Sequence, residues 1–140
     1  MRYLLICMTA LSLISCEELE VNQFEYTTTT MMGRTQLLVT QDSVVVDFNG
    51  RGEPTHFSRA TKAQEWSGLM LSLKEVDLDK VASLEAPSNK RATDAAPFAY
   101  FEFTTKDSTY RSASFDHKNP NSMLKPCMDE IIKIQEENTK

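Results

Sequence analysis

Lys90, Arg91, His117 and Lys118 have the side-chain types that could bind an anion. They stand out in an acidic chain, in which 20 Asp and Glu residues outnumber 15 Lys and Arg residues and the net charge is −5. The planar guanidinium of arginine can donate two parallel hydrogen bonds to a carboxylate or a phosphate. Histidine gains its positive charge at mildly acidic pH. These residues predict a site for a carboxylate, a phosphate or an acidic partner surface.

The positions of these residues along the chain predict that they meet in space. Segments 98–105 and 109–115 have the alternating pattern of two strands in a β-hairpin. The loop before the first strand and the loop after the second strand must then lie at the same open end of the hairpin. The candidate ligand-binding residues of these two loops are Asn89, Lys90, Arg91, Asp94, Asp116, His117, Lys118 and Asn119.

The same charges also allow a simpler interpretation. Charged residues in loops usually lie at the surface in contact with water. Lys90 and Arg91 could be balanced by Asp94 and Asp116 as a solvated pair of loops without a ligand. Both interpretations are compatible with the sequence.

Asp116 and His117 raise a catalytic alternative, a small periplasmic hydrolase. Such an enzyme needs a nucleophile beside the imidazole and hydrogen-bond donors for the oxyanion. Ser88, Ser114 and Ser122 are close in sequence, but the chain has no Gly-x-Ser-x-Gly motif. Adjacent residues of a strand also point to opposite faces. We therefore predict that the protein is not an enzyme.

Metal, nucleotide and nucleic-acid binding have little support in the sequence. The two histidines, His56 and His117, are not part of any of the spacings that bind zinc. The four glycines are too scattered to cradle a phosphate. An acidic chain also lacks the basic face that nucleic acid requires. We expect no cofactor, no metal and no nucleic-acid partner.

The start of the chain has the layout of a secretory signal peptide. Arg2 supplies a positive charge, and an apolar run of 11 residues follows from Leu4 to Ile14. A membrane-spanning helix needs about 20 residues, so this run is too short to be one. A charged start, a short apolar stretch and a small residue are typical of a signal peptide. The run ends in Leu13-Ile14-Ser15-Cys16, which resembles the lipobox of bacterial lipoproteins.

The resemblance implies cleavage after Ser15, thioether lipidation of Cys16 and acylation of the new amino terminus. Several acyl chains anchor a protein firmly to a membrane, whereas a single chain holds it weakly. The chain then divides into a signal peptide at 1–15, a lipidated cysteine with an acidic tether at 16–22, and a single domain at 23–140. We expect the lipid to attach the protein to the outer membrane, with the domain facing the periplasm or the outside.

The acidic residues behind Cys16 allow two interpretations. Glu17, Glu18 and Glu20 are similar to the export signal of some surface lipoproteins. They are equally consistent with a solvated tether. Because Glu17 rather than Asp follows the cysteine, the retention signal of inner-membrane lipoproteins is not matched cleanly.

Runs of threonine and β-branched residues, separated by turn residues, predict an antiparallel meander at the start of the domain. Its four strands are expected at 23–30, 34–40, 43–48 and 55–59. Asn49-Gly50 is expected to form the last of its turns, because both residues tolerate a positive φ.

The spacing of apolar residues then changes to that of a helix. Thr61 and Gln64 match a capping box, which predicts the start of a central helix. Val76 to Leu84 continues the apolar pattern as a short second helix, and a long polar loop covers 87–97. The apolar stripe of the central helix consists of Ala63, Trp66, Leu69, Met70 and Leu73.

The hairpin after the long loop allows two turns. A three-residue turn at Asp107-Ser108-Thr109 places Phe101 opposite Phe115 and separates the apolar and polar faces best. A turn at Asp107-Ser108 alone is the alternative.

A last helix is expected to start near Asn121 or Ser122, with Pro126 in or near its first turn. Helical spacing places Cys127 within an apolar stripe and predicts that its thiol is buried. The whole pattern predicts an α+β fold, an antiparallel β-sheet (meander plus hairpin) packed by a central helix and a C-terminal helix. The stripe of the last helix consists of Leu124, Cys127, Met128, Ile131 and Ile134.

Together these features predict a lipid-anchored cell-envelope lipoprotein with a non-catalytic domain that binds an envelope protein or a small anionic ligand. Segments 84–91 and 114–117 resemble parts of small bacterial lipoproteins to which no activity is assigned. The chain is also similar in size to envelope lipoproteins that inhibit secreted hydrolases such as lysozyme, although those inhibitors use disulfides. After lipidation of Cys16, Cys127 would remain alone in the mature chain, so it could form no internal disulfide. A purely structural envelope protein is a further alternative.

Overall fold

The computed structural model describes residues 20–138 and gives an α+β fold, as the sequence predicts. The predicted signal peptide and Cys16 lie outside the described residues. In chain order, the strands are β1 Val21–Thr30, β2 Gly33–Thr40, β3 Ser43–Gly50, β4 Thr55–Ala60, β5 Phe98–Thr105, β6 Thr109–Arg111 and β7 Phe115–Asp116. The α-helices are α1 Ala63–Ser72 and α2 Lys125–Glu137, and short 3₁₀ helices cover Leu78–Ser83, Lys90–Thr93 and Ser122–Leu124.

The strands form one antiparallel sheet in the order β4-β3-β2-β1-β5-β6, with β7 also paired to β5. The first four strands make the predicted meander, and β1 pairs with β5 at the centre of the sheet. Apolar residues alternate along β1, so Phe24 and Tyr26 lie on the core face while Glu25 and Thr27 lie on the other. The sheet therefore has one apolar face to cover.

The two helices cover this face. Leu69 of α1 and the apolar stripe of α2 are buried against the aromatic residues of β1 and β5. Cys127 is fully buried within the stripe, as its spacing predicts, and burial raises the pKa of its thiol to about 11. All five predicted stripe residues of α2 are at most 1% exposed: Leu124, Cys127, Met128, Ile131 and Ile134.

The first strand begins earlier than the sequence analysis places it. The predicted tether reached residue 22, but β1 starts at Val21, which pairs with Thr105 and is only 3% exposed. Burial of the Val21 side chain draws the backbone into the sheet ahead of the expected boundary. The irregular register between Val21 and Gln23 explains why the alternating pattern was not visible there.

The predicted turn at Asn49-Gly50 is wrong. β3 continues through Gly50, which pairs with Gly33 of β2, and the turn falls on residues 51–54. A Cβ atom on Gly33 would lie 2.6 Å from the Asn49 carbonyl oxygen. The absence of side chains at Gly33 and Gly50 therefore allows the backbones of β2 and β3 to approach closely. The positive φ needed for the turn is at Gly52 instead, where φ is +113°.

The capping box is also displaced by one residue. The carboxylate of Glu65 accepts a hydrogen bond from the backbone N–H of Lys62 at 2.8 Å, which makes Lys62 the N-cap. The hydroxyl of Thr61 donates to the Thr40 carbonyl instead, at 2.8 Å. Thr61 therefore ties the helix entry to the sheet, and the sequence pattern alone did not reveal this tertiary contact.

Both predicted turns of the last hairpin are wrong. Phe103 lies opposite Tyr110, and Ala99 rather than Phe101 lies opposite Phe115. The reason is a tighter connection, in which the hydroxyl of Thr105 accepts from the Ser108 backbone N–H at 3.1 Å. The predicted single strand 109–115 is also broken after Arg111, which allows the register to shift before β7.

β1 separates the two ends of the domain. It runs for ten residues from Val21, next to Glu20, to Thr30, and a strand of that length spans about 30 Å. The β1–β2 turn, with Met31 and Met32, therefore lies at the opposite end of the sheet from Glu20. We call this the distal end. Within residues 20–138, no helix has the length and apolar character needed to cross a membrane.

Candidate functional site

The two polar loops meet, as the hairpin predicts. Phe98 at the start of β5 pairs with Asp116 at the end of β7. The backbone N–H of His117 donates to the carbonyl of Pro97 at 3.0 Å. Loop 87–97 and the segment after Asp116 are therefore held side by side near the distal end.

Asp116 is the centre of this junction. Its carboxylate is 3% exposed and accepts hydrogen bonds from the Ser88 hydroxyl at 2.5 Å and from the backbone N–H groups of Lys90 and Arg91, both at 2.9 Å. The 3₁₀ helix that begins at Lys90 directs these N–H groups at the carboxylate. Asp116 thus attaches the long loop to the sheet.

Hydrogen bonding controls the ionisation of Asp116. Burial alone would raise the pKa of this carboxyl. The hydrogen bonds from Ser88, Arg91 and Lys90 outweigh burial and hold the pKa of Asp116 well below its ordinary value. Asp116 is therefore a permanent negative charge within the junction at neutral pH.

Arg91 is already engaged by the protein. Its guanidinium donates to the Ser88 carbonyl at 2.8 Å, to the Ser114 hydroxyl at 3.2 Å and to Asp116 at 3.2 Å. Its side chain is only 17% exposed. The guanidinium that was expected to bind a ligand is thus occupied by hydrogen bonds within the protein, and Arg91 has a structural role.

Lys90 and Lys118 are the cations of the cluster that remain available. Both residues are exposed, and in the part of the chain that the structure describes no carboxylate lies within 4.0 Å of either ammonium group. Lys118 has a left-handed backbone with φ of +59°, so the loop bends sharply at this residue. An ammonium group without an internal partner can pair with an external anion.

Of the remaining predicted residues, Asn119 is bound within the junction, whereas Asn89 and Asp94 are exposed. Asn119 donates from its side-chain amide to the Ser88 hydroxyl at 2.9 Å and so strengthens the junction around Asp116. Asn89 precedes the short 3₁₀ helix and Asp94 follows it, with φ of +55° at Asp94. Asn89 and Asp94 are exposed.

His117 contacts the core through Tyr26. The Tyr26 hydroxyl and Nδ1 of His117 are hydrogen bonded over 2.9 Å. The backbone N–H of Lys118 also bonds to the Tyr26 oxygen, so the tyrosine proton is free to be donated to Nδ1 of a neutral imidazole. Burial and the nearby charge of Lys118 lower the pKa of His117, while burial raises the pKa of Tyr26.

The side chains of Asp116 and His117 are directed to different partners. The carboxylate binds Ser88 and Arg91, whereas the imidazole binds Tyr26. Two of the serines considered as nucleophiles, Ser88 and Ser114, are bonded to Asp116 and Arg91 and not to the imidazole. Asp116, His117 and these two serines therefore do not form a hydrogen-bonded chain of carboxylate, imidazole and nucleophile.

Three features of the site were missed by sequence analysis. Ser88 bridges Asp116 and Asn119, and Tyr26 holds His117 from a strand 91 positions away. Met31 and Met32 fall between the predicted strands 23–30 and 34–40 and were given no role, although they are 80% and 56% exposed beside the long loop. Two adjacent methionines in a turn were the available indication of an exposed apolar surface.

Among residues 20–138, no group of three or more His, Cys, Asp or Glu side chains could hold a metal ion. Comparison of the chain with protein-family models, with curated proteins and with solved structures found no match.

Proposed function

We propose that this protein is a lipid-anchored cell-envelope lipoprotein whose domain binds an envelope protein or a small anionic ligand without catalysis. The binding surface is the loop pair around Lys90 and Lys118. The anchor is the lipid on Cys16, in the outer membrane.

One observation carries the proposal of a binding site. Lys90 and Lys118 are exposed cations without a partner among residues 20–138, and they lie on loops that a buried network holds in place. The network around Asp116 gives the loops a defined shape before any ligand binds. A preorganised surface loses less conformational entropy on binding than a mobile one. Two lysines on loops that are held side by side can therefore act together on one anionic surface.

The place of the N-terminal segment fits an anchored protein. The described chain begins at Glu20, four residues after Cys16, and enters the sheet at Val21. A linker of four residues spans at most about 14 Å. A lipid on Cys16 would hold the Glu20 end of the domain next to the membrane and leave the distal end accessible.

Site-specific photo-cross-linking in the intact envelope tests the proposal. A photoreactive amino acid at the exposed Ala92, in the same short 3₁₀ helix as Lys90, replaces neither lysine. We expect a cross-linked protein that is lost when Lys90 and Lys118 are both changed to Gln. The matched control changes Lys74 and Lys106 to Gln, because these exposed lysines lie at the Glu20 end.

The outcomes separate the two kinds of ligand. A cross-link retained in the Lys74→Gln/Lys106→Gln control and lost in the Lys90→Gln/Lys118→Gln variant supports a protein partner. If Ala92 gives no cross-link, calorimetric titration with inorganic phosphate and glutamate tests the small ligand. The absence of both a cross-link and a heat of binding would contradict the proposed function.

A further inference from the structure

An apolar groove lies beside the two lysines at the distal end. The groove has a volume of about 550 Å³ and lies between the β1–β2 turn and the residues leading into β5. Met31 and Met32 line one side, and Pro97 and Phe98 line the other. Met31 is 80% exposed, Met32 56% and Phe98 43%. Large apolar side chains at this exposure, grouped around one concavity, are typical of an interaction site.

Three cations lie in the segments next to the residues that line the groove. Arg51 donates its backbone N–H to the Met32 carbonyl at 2.8 Å, which places it beside the methionine turn. Within the described residues, its guanidinium has no carboxylate within 4.0 Å. Lys90 and Lys118 add two further cations without internal partners. Arg91 and Asp94 themselves line the groove, and Glu53 lies close to Arg51 in sequence. The cations of this end, which are Arg51, Lys90, Arg91 and Lys118, thus outnumber its exposed carboxylates, Glu53 and Asp94.

The opposite end of the domain is acidic. This end contains Glu20, the 3₁₀ helix Leu78–Ser83 and the β5–β6 turn, and it has five carboxylates and three lysines. The carboxylates are Glu20, Glu75, Asp77, Asp79 and Asp107, and the lysines are Lys74, Lys80 and Lys106. Among the described residues, most of the Lys and Arg side chains without a carboxylate within 4.0 Å thus lie at the distal end. Such separation orients an approaching acidic partner toward the groove.

We infer that the distal groove is a docking site for an acidic protein segment that inserts one apolar side chain between Met32 and Phe98. The carboxylates of the segment pair with Lys90, Lys118 and Arg51 around the groove. Methionine suits this role because its unbranched, polarisable side chain adapts to different apolar partners. The inference rests on the proposed function and specifies its partner.

The shape of the surface favours a protein segment over an anionic bilayer. A bilayer presents a broad interface, and a peripheral helix or turn inserts its apolar residues outward into that interface. Here Pro97, Phe98 and the methionines enclose a concavity. A concave apolar site with a few charged groups at its margin fits a single inserted side chain.

Methyl NMR of methionine measures docking directly. The full chain, purified from membranes and placed in phosphatidylcholine nanodiscs, is labelled with ¹³C at the methionine methyl groups. Met31 and Met32 report on the groove, while Met123, which is 44% exposed and does not line the groove, reports on unspecific effects. The first probe is a pentapeptide of four glutamates around a central leucine, and its counterpart has four lysines instead.

We expect the glutamate peptide to shift the Met31 and Met32 resonances and to leave that of Met123 in place. Its affinity should exceed that of the lysine peptide by at least about tenfold, and high salt should abolish the difference. Calorimetric titration, which does not depend on the methionine methyl groups, should show that changing Met31 and Met32 to Ser removes binding of the glutamate peptide. The matched control Leu71→Ser, at a residue 71% exposed on α1, should leave binding unchanged.

Other outcomes would overturn the inference. Equal shifts with the lysine peptide, or no shift with either peptide, would exclude an acidic segment. Shifts caused only by phosphatidylglycerol vesicles would assign the groove to a bilayer, and shifts that depend only on protein concentration would assign it to a second copy of the chain. If the Ala92 cross-link depends on Lys90 and Lys118 while the methionine resonances stay unchanged, the proposed function stands and this inference fails.

Discussion

Asp116 binds Arg91 twice, because one carboxylate oxygen accepts hydrogen bonds from the Arg91 backbone N–H at 2.9 Å and from its guanidinium at 3.2 Å. The two residues are 25 positions apart in sequence, and their contact joins the long polar loop to the end of β7. The carboxylate of Asp116 thus holds the loops of the candidate site together and is not available to a ligand. This internal pairing leaves Lys90 and Lys118 as the exposed groups of the candidate surface.

The first prediction concerns the structural role of Asp116. Asp116→Asn should lower the melting temperature by on the order of 10 °C, since the charged hydrogen bonds of a buried carboxylate are lost. Asp94→Asn removes a carboxylate from the same loop at an exposed position and should have little effect. Thermal unfolding followed by circular dichroism measures both. Equal melting temperatures for wild type and Asp116→Asn would refute the structural role.

The ionisation of Asp116 gives this destabilisation a defined pH dependence. The pKa of Asp116 is lower in the folded protein than in the unfolded chain, so its ionised form stabilises the fold at every pH above the ordinary value of about 3.9. That contribution is lost as the pH falls from there through the folded pKa. The difference in stability between wild type and Asp116→Asn should therefore be constant near neutral pH and shrink below about pH 4.

The second prediction concerns His117. Its pKa is lowered in the folded protein, so the unfolded chain binds the proton more readily. Folding stability should be full above about pH 6.5 and fall as the pH drops from there toward the folded pKa. In a His56→Gln background, the imidazole resonances of His117 measure its pKa directly. Tyr26→Phe should leave the imidazole without its hydroxyl partner and change this titration, whereas an identical titration would show that their hydrogen bond has no influence.

The third prediction concerns a connection at the far edge of the sheet. Arg59 of β4 donates two hydrogen bonds to Glu65 of α1, at 2.7 and 2.8 Å, and one to the side chain of Asn138 after α2, at 2.6 Å. Arg59→Gln should reduce the free energy of unfolding by about 1–3 kcal/mol, because hydrogen bonds to a charged group are lost.

Arg59→Lys provides the matched comparison, since it keeps the charge and loses the planar fork. It should destabilise less than Arg59→Gln but measurably. Urea unfolding measures both variants. A stability equal to that of wild type in Arg59→Lys would show that charge alone maintains this connection.

The fourth prediction concerns the thiol of Cys127. With a pKa of about 11, only about one thiol in a thousand is ionised at pH 8, and the thiolate is the reactive form. In a chain with Cys7 and Cys16 changed to Ser, a bulky maleimide should label the folded protein at least about a hundredfold more slowly than the urea-unfolded protein. Similar rates in both states would contradict burial of this cysteine.

The sequence predicted those parts of the fold in which one local period decides the structure. The stripe of α2 follows from the helical spacing between Leu124 and Ile134, and every member is buried. The strands of the meander follow from the threonines of β1 and the β-branched valines of β3. The meeting of the two loops follows from the hairpin, because antiparallel strands must return the chain to the same end.

Features that depend on contacts distant in sequence were not predictable in this way. Gly50 resembles a turn residue, and only its partner Gly33 reveals a close approach of two strands. The hairpin turn is closed by backbone and hydroxyl hydrogen bonds between Thr105 and Ser108, which the spacing of apolar residues does not indicate. Asp116 and Arg91 have the composition of a ligand site, and only their mutual hydrogen bonds show that they are structural.

The place of the distal groove in the envelope depends on the anchor at Cys16, since the anchor decides which end of the domain faces away from the membrane. The most direct test is the mass of the amino-terminal peptide of the native protein after membrane fractionation. We predict a protein in the outer-membrane fraction whose chain begins at Cys16 and carries a diacylglycerol thioether and an acylated amino group. An unmodified Cys16 within a chain that still begins at Met1, or a protein absent from the membrane fraction, would contradict a lipid-anchored lipoprotein.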